Sequence, residues 1–173
     1  HYDHVVEVIP WRVPVSVSVH PQIHYYGQVL ALNDCLYRGM LDSEYIVIAD
    51  VDEFVIPRKS HTWAELLRNV ACDSGVYMFR NCFFGKDTKN LNSLSVVHRE
   101  SYIWPFYSRS KLIVDPRNVV QIGIHFVFEF LDEGAEHCEV DVSEALLHHY
   151  RDWGVDERGE DRVEDKTALK YEK

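Results

Sequence analysis

The run Tyr45-Ile46-Val47-Ile48-Ala49-Asp50-Val51-Asp52-Glu53-Phe54 places three carboxylates directly after an apolar segment. Like charges that close repel, and a hard divalent cation with oxygen ligands is the usual remedy. A turn at a strand end can swing two carboxylates separated by one residue towards the same ion. An ion held there can act as a Lewis acid on phosphate oxygens. A solvated acidic turn is the plain alternative. It is disfavoured because Phe54-Val55-Ile56-Pro57 resumes the apolar pattern, so the acids are enclosed between two apolar stretches.

The elements around this cluster follow from periodicity. The consecutive apolar residues from Tyr45 to Ala49 predict a strand buried on both faces of a mixed or parallel sheet, with the acids at its carboxyl end, where open α/β sheets bind ligands. Pro21 to Leu41 carries apolar residues at Ile23, Tyr26, Val29, Leu30, Leu32, Leu36, Tyr37 and Met40, a helical period ending near Gly39. Thr62-Trp63-Ala64-Glu65 is a capping box that opens a helix to about Val70. Strands are predicted over Val5–Ile9 and Val76–Phe79, while Val13–Val19, interrupted by Pro14, reads equally as a strand or as a loop leading towards a helix. Asn81 to Ser93 reads as a long polar loop. Lys111–Val114 and Val119–His125 flank Asp115-Pro116-Arg117-Asn118 and read as a hairpin or meander, and Ala145–Tyr150 as a last strand. The alternation predicts an α/β fold with a mixed sheet flanked by helices. Residues 1–151 would form one domain, and the charged tail 152–173 would be poorly ordered.

The chain has 173 residues, enough for one domain with a core, and 46% of them are hydrophobic. A formal net charge of -10 argues against a nucleic-acid surface. No run of eighteen apolar residues is present, so no spanning helix is expected within the chain. The chain opens on His1 without a Met, and it reads as an internal piece whose missing front end holds a targeting segment. Cys35, Cys72, Cys82 and Cys138 form no C-x-x-C pair, which disfavours zinc. They suit two disulfides in an oxidising lumen or buried thiols, and the sequence does not choose among the three pairings.

Several segments, in order, carry a family resemblance: the helix with Gly27-Gln28 and Leu32-Asn33-Asp34-Cys35-Leu36; Tyr45 to Pro57 as a D-x-D-E-F block; Lys111-Leu112-Ile113-Val114; Gly123-Ile124-His125; and His148-His149-Tyr150-Arg151. With these the chain resembles glycosyltransferase family 92, a group with the GT-A type nucleotide-sugar fold, over most of residues 1–151. The resemblance implies transfer of galactose from UDP-galactose to a hydroxyl of a glycan acceptor with Mn2+ or another divalent cation. It also implies the lumenal domain of a type II Golgi membrane protein, reaching the membrane through a segment absent from this chain. By the same analogy Asp50 lies near the donor ribose or the metal, and Asp52 is the principal metal ligand. His148 or His149 completes the metal shell. A GT-A-like domain holds the nucleotide base with a first β-α unit, which this chain lacks.

Mn2+ accepts carboxylate and imidazole together, so a D-x-D plus His shell is chemically sound. His148 and His149 point to opposite faces of a strand. His148 is favoured as the ligand because Leu146, His148 and Tyr150 would keep one face continuous. His125 either lines the site or packs, and Glu53 orients the acid pair from behind. Lys111 and Arg109 are candidates to neutralise diphosphate oxygens, against ordinary surface charge. An inverting transfer needs a carboxylate base, for which Asp87 and Glu100 are candidates and a solvated surface acid is the competing reading of each. Tyr102, Trp104, Phe106 and Tyr107 offer a sugar-stacking face or, more commonly, core packing. Two rivals stand beside the transferase. One is a non-catalytic glycan- or metal-binding module of the same fold. The other is a haloacid-dehalogenase-like phosphohydrolase, disfavoured by Phe54 two residues after Asp52 and by the absence of a later Asp pair.

Overall fold

The computed structural model describes residues 6–10, 24–85, 92–151 and 161–172, and it is an α/β assembly of mixed sheets with few helices. The strands in chain order are β1 (Ile46–Ile48), β2 (Glu53–Pro57), β3 (Val76–Phe79), β4 (Asn81–Gly85), β5 (His98–Glu100), β6 (Lys111–Val114), β7 (Val119–Ile122), β8 (Val127–Phe130), β9 (Cys138–Glu139), β10 (Ala145–Arg151) and β11 (Arg162–Glu164). The helices are α1 (Gln28–Gly39) and α2 (Trp63–Asn69). A four-stranded sheet has the order β1-β6-β3-β9, and a five-stranded sheet the order β11-β5-β4-β10-β2. Arg80 alone separates β3 from β4, so one chain segment passes directly from the first sheet to the second.

Alternation along β1, β6 and β3 explains why the first sheet is buried on both faces. Ile46, Ile48, Leu112, Val114, Val76 and Met78 point to one side, where Leu36 of α1 and the β7–β8 hairpin cover them. Val47, Ile113, Tyr77 and Phe79 point to the other, against Leu66 and Leu67 of α2 and Leu147 of β10. α1 is fastened by Asn33, whose side-chain amide donates to the Ile122 carbonyl (2.8 Å) and accepts from the Ile122 amide (3.0 Å), as a strand neighbour would. The capping box forms as expected, with Thr62 accepting from the Glu65 amide and Glu65 from the Thr62 amide.

Several expectations change. The first helix is shorter than predicted: residues 24–27 form a 3-10 turn, and Gly27 at φ 78 redirects the chain before α1 begins. Residues 6–10 have no regular structure, and the doubtful strand at 13–19 lies outside the described residues. The polar segment after Arg80 opens with β4, buried along its whole length, because it is a central strand between β5 and β10. β6 and β7 do not form a hairpin. The Asp115 turn sends β7 to pair with β8, while β6 is already flanked by β1 and β3. The charged tail is not wholly loose, since β11 pairs antiparallel with β5. Buried Asp165 also holds Arg58 and Arg99 beyond it, and Lys170 donates to the carbonyls of Pro57 and Ser60. Its apolar residues are few, and its docking combines the β11–β5 ladder, these polar contacts and buried Ala168.

Cys72 and Cys138 form a disulfide with Cα atoms 5.7 Å apart, whereas Cys35 is a free exposed thiol and Cys82 a free buried one.

Candidate functional site

β1 ends at Ile48, and the chain turns sharply over Asp50 to Glu53. The turn is closed twice: the Glu53 amide donates to the Asp50 carbonyl (3.1 Å), and the Asp50 amide donates to Glu53 Oε2 (3.0 Å). Val51 at the apex is fully exposed, and the side chains of Asp50 and Asp52 are about half exposed. The Asp52 carbonyl accepts from the Tyr150 amide (2.9 Å), so β10 holds the backbone of the turn.

Beneath the turn the charges are buried. The Lys111 side chain is 2% exposed, and its ammonium lies 3.0 Å from Asp50 Oδ2 and 3.2 Å from Glu53 Oε2. Burial raises the Glu53 pKa, and the Asp50 amide, Lys111 and His149 oppose that rise. His149 stands opposite Glu53 in the β10–β2 register. Its Nδ1 is 3.3 Å from Glu53 Oε1, its Nε2 is 3.5 Å from Asp52 Oδ2, and the Asn81 amide lies 3.4 Å from Nδ1. Burial lowers the His149 pKa against the pull of Glu53 and Asp52, so the ring is mainly neutral at pH 7.

The favoured histidine is therefore corrected. His148 is fully buried on the opposite face of β10, stacked on Phe84 at 4.1 Å between centroids, with Nδ1 3.2 Å from the Tyr150 hydroxyl. Leu146, His148 and Tyr150 do share a continuous face, but that face packs into the interior with Cys82 and Phe84. Alternation turns the interrupted face, with His149, towards the acids.

The remaining candidates are placed as follows. Glu100 is not at a surface that an acceptor hydroxyl could reach. It is fully buried, and its Oε1 accepts from the Phe83 amide (3.0 Å) and the Trp104 indole (2.9 Å). Asp87 lies outside the described residues. His125 contacts the Ser110 carbonyl (3.0 Å); burial lowers its pKa, and Lys111 and Asp50 both lie within electrostatic reach. Arg109, in the left-handed region at φ 61, lays its guanidinium over Trp104 (4.7 Å) and Phe83 (5.4 Å). Arg151 lies over the same Phe83 ring (5.0 Å), which also meets His149 edge-on (5.0 Å). Two cations thus flank one aromatic ring beside the acidic turn. Asn81 and Phe83 are not singled out by the sequence, and Arg151 enters there only as the end of the His148–Arg151 motif, without a role. The available signal was β10 itself, because a strand that brings His149 to the acids carries Arg151 two residues on, along the same face.

Among the described residues, no group of three or more His, Cys, Asp or Glu side chains is arranged to hold a metal ion as it stands. The chemical types of the donors at the turn can nevertheless be stated. Lys111 offsets one of three carboxylates, the Asp50 and Asp52 carboxylates remain open to solvent, and a neutral imidazole faces Asp52. These are the hard oxygen and borderline nitrogen donors that Mn2+ accepts together. No helix among the described residues is long and apolar enough to cross a membrane.

The model of a family described as glycosyltransferase family 92 matches residues 3–173, including the tail that the sequence motifs did not reach. Two similar proteins come from Caenorhabditis elegans. One, glycosyltransferase family 92 protein C33H5.2, is 25% identical over 169 residues, covering 88% of this chain and 32% of that protein. The other, beta-1,4-galactosyltransferase galt-1, is 25% identical over 154 residues, covering 87% of this chain and 35% of that protein. The chain spans about a third of the length of these curated relatives.

Proposed function

The chain belongs to glycosyltransferase family 92, and from that premise we propose that the Asp50–Glu53 turn is the donor site of a metal-dependent transferase. The reaction moves a sugar from a nucleotide donor to a glycan hydroxyl. Galactose from UDP-galactose is the preferred donor, in line with the name of one relative. The observation that carries the reading is the pair of half-exposed carboxylates, Asp50 and Asp52, presented at the carboxyl end of a buried strand.

Asp50, Asp52 and His149 would hold Mn2+, which supplies Lewis-acid stabilisation of a departing diphosphate when bound. Lys111 fixes the Asp50 carboxylate at 3.0 Å, and Glu53 fixes the turn from below. Arg109 and Arg151 bring positive charge to the Phe83 ring next to His149, suited to diphosphate oxygens. The Cys72–Cys138 disulfide favours an oxidising compartment, in keeping with the Golgi lumen.

Isothermal titration of UDP with and without Mn2+, on the 173-residue chain and on Asp52→Ala, tests this reading. Mn2+-dependent UDP binding that disappears in Asp52→Ala is the expected result. UDP binding that ignores both Mn2+ and the substitution would overturn the assignment of the turn.

A further inference from the structure

A second site lies along the same edge of the first sheet. β1, β3 and β9 run in one direction, and their registers align Ile48, Leu112, Met78 and Glu139 in one row across four strands. Glu139 therefore ends β9 at the edge where Asp50 follows β1, three strand spacings or roughly 14 Å away. A cavity of about 520 Å³, lined by Tyr107, Phe130, Ala135, Glu136, His137 and Glu139, opens there.

The lining has a consistent chemistry. Tyr107 and Phe130 present aromatic surface, Glu136 and Glu139 present carboxylates, and the described lining contains no Lys or Arg. His137 is held between the Tyr107 and Phe130 rings (5.3 and 5.0 Å). Its Nε2 accepts from the Val127 amide (2.8 Å), so in the neutral ring Nδ1 carries the proton and donates. Tyr107 is 47% exposed and held at φ 65, in the segment that also carries Arg109 and leads to Lys111. The groove wall thus connects to the acidic turn through Lys111, whose ammonium lies 3.0 Å from Asp50.

Resting on the transferase reading, we propose that this groove binds the acceptor as an uncharged oligosaccharide. Sugar C–H faces lie on aromatic rings, hydroxyls donate to carboxylates, and ring or hydroxyl oxygens accept from His137. An anionic donor is disfavoured there because the carboxylates would meet its phosphates without a cation in the lining. The span of roughly 14 Å leaves room for a nucleotide sugar between the groove and the acidic turn.

Saturation-transfer NMR with lactose, chitotriose and maltotriose, and with 3'-sialyllactose as the anionic control, tests the groove on the 173-residue chain. At least one neutral glycan should receive saturation more strongly than the sialylated one. Tyr107→Ala should weaken its binding tenfold or more, and Glu139→Gln, which leaves the backbone at φ 65 undisturbed, threefold or more. Mn2+-dependent UDP binding should be unchanged in Glu139→Gln. No saturation by any neutral glycan, or saturation indifferent to both substitutions, would overturn the groove. Glycan binding that survives while Mn2+-dependent UDP binding is absent would leave the groove standing and overturn only the assignment of the acidic turn as a donor site complete within this chain.

Discussion

The Lys111 ammonium lies 3.0 Å from the carboxylate of Asp50 while its own side chain is 2% exposed. A lysine at the start of an all-apolar strand is buried only if anionic partners replace its water. Asp50 and Glu53 do so, and in return the lysine holds the half-exposed Asp50 carboxylate at a fixed place. Binding geometry and fold stability meet in this single side chain.

Replacing Lys111 with Met should therefore destabilise the fold as well as the site. The substitution leaves the buried Glu53 without its cation, and removing one partner of a buried pair costs about 3–5 kcal/mol. Urea denaturation should show that loss as a lower midpoint. The double variant Lys111→Met with Glu53→Gln should recover a substantial part of it, because the uncompensated charge is gone. A single variant as stable as the parent would mean that the pair is solvated and structurally idle.

The two adjacent histidines should separate cleanly. His149→Ala removes the imidazole beside Asp52 and Glu53 and should weaken Mn2+-dependent UDP binding about tenfold or more, as loss of a ligand or its close support typically does. His148→Phe keeps an aromatic ring against Phe84 and should leave that binding within about twofold. The opposite ranking by titration calorimetry would return the ligand role to His148.

Acid should unfold the protein through its buried rings. Burial pushes the His148 pKa down to about 3, well below the value of an exposed imidazole, and it also lowers those of His149, His125 and His137. A group with a depressed folded pKa binds its proton first in the unfolded chain. Stability is therefore full above about pH 6.5 and is lost as pH falls towards the folded value. Each ring still neutral in the fold contributes a slope of about 1.4 kcal/mol per pH unit. Denaturation curves at stepped pH should show this decline below pH 6.5, and His148→Phe should lower the slope by about one proton between pH 6 and 4. An unchanged slope would place His148 in contact with solvent.

How much of this was legible depended on whether one element or several decide a position. The D-x-D strand, the capping box and α1 are local, and their residues announce them. Asn33 is different: its amide completes a strand edge 89 residues away, and nothing near it in sequence says so. In sequence β4 looks like the start of a loop because Asn81 and most residues beyond Gly85 are polar, although Cys82, Phe83 and Phe84 are wholly interior. The choice between His148 and His149 turned on which face of β10 meets β2, a matter of register that apolar periodicity inverts when the continuous face is the buried one. The docking of 161–172 rests on Asp165 and a short β ladder, with Ala168 as its one fully buried apolar residue among those described, too little for apolar periodicity to reveal.

The cysteines give a final chemical test. Cys72 and Cys138 close a span of 66 residues, and a cross-link over that length is worth about 2–4 kcal/mol through restriction of the unfolded chain. Cys35 is exposed, whereas Cys82 is interior and its thiol pKa is raised by burial, so the thiolate needed for alkylation is suppressed. Iodoacetamide should label Cys35 alone in the native protein and Cys35 with Cys82 in denaturant, as read by peptide mass spectrometry. Cys72 and Cys138 should be labelled only after reduction, and Cys72→Ala should lower the unfolding free energy by the same few kcal/mol. Native labelling of Cys72 without reductant would remove the staple, and with it the structural support for an oxidising compartment.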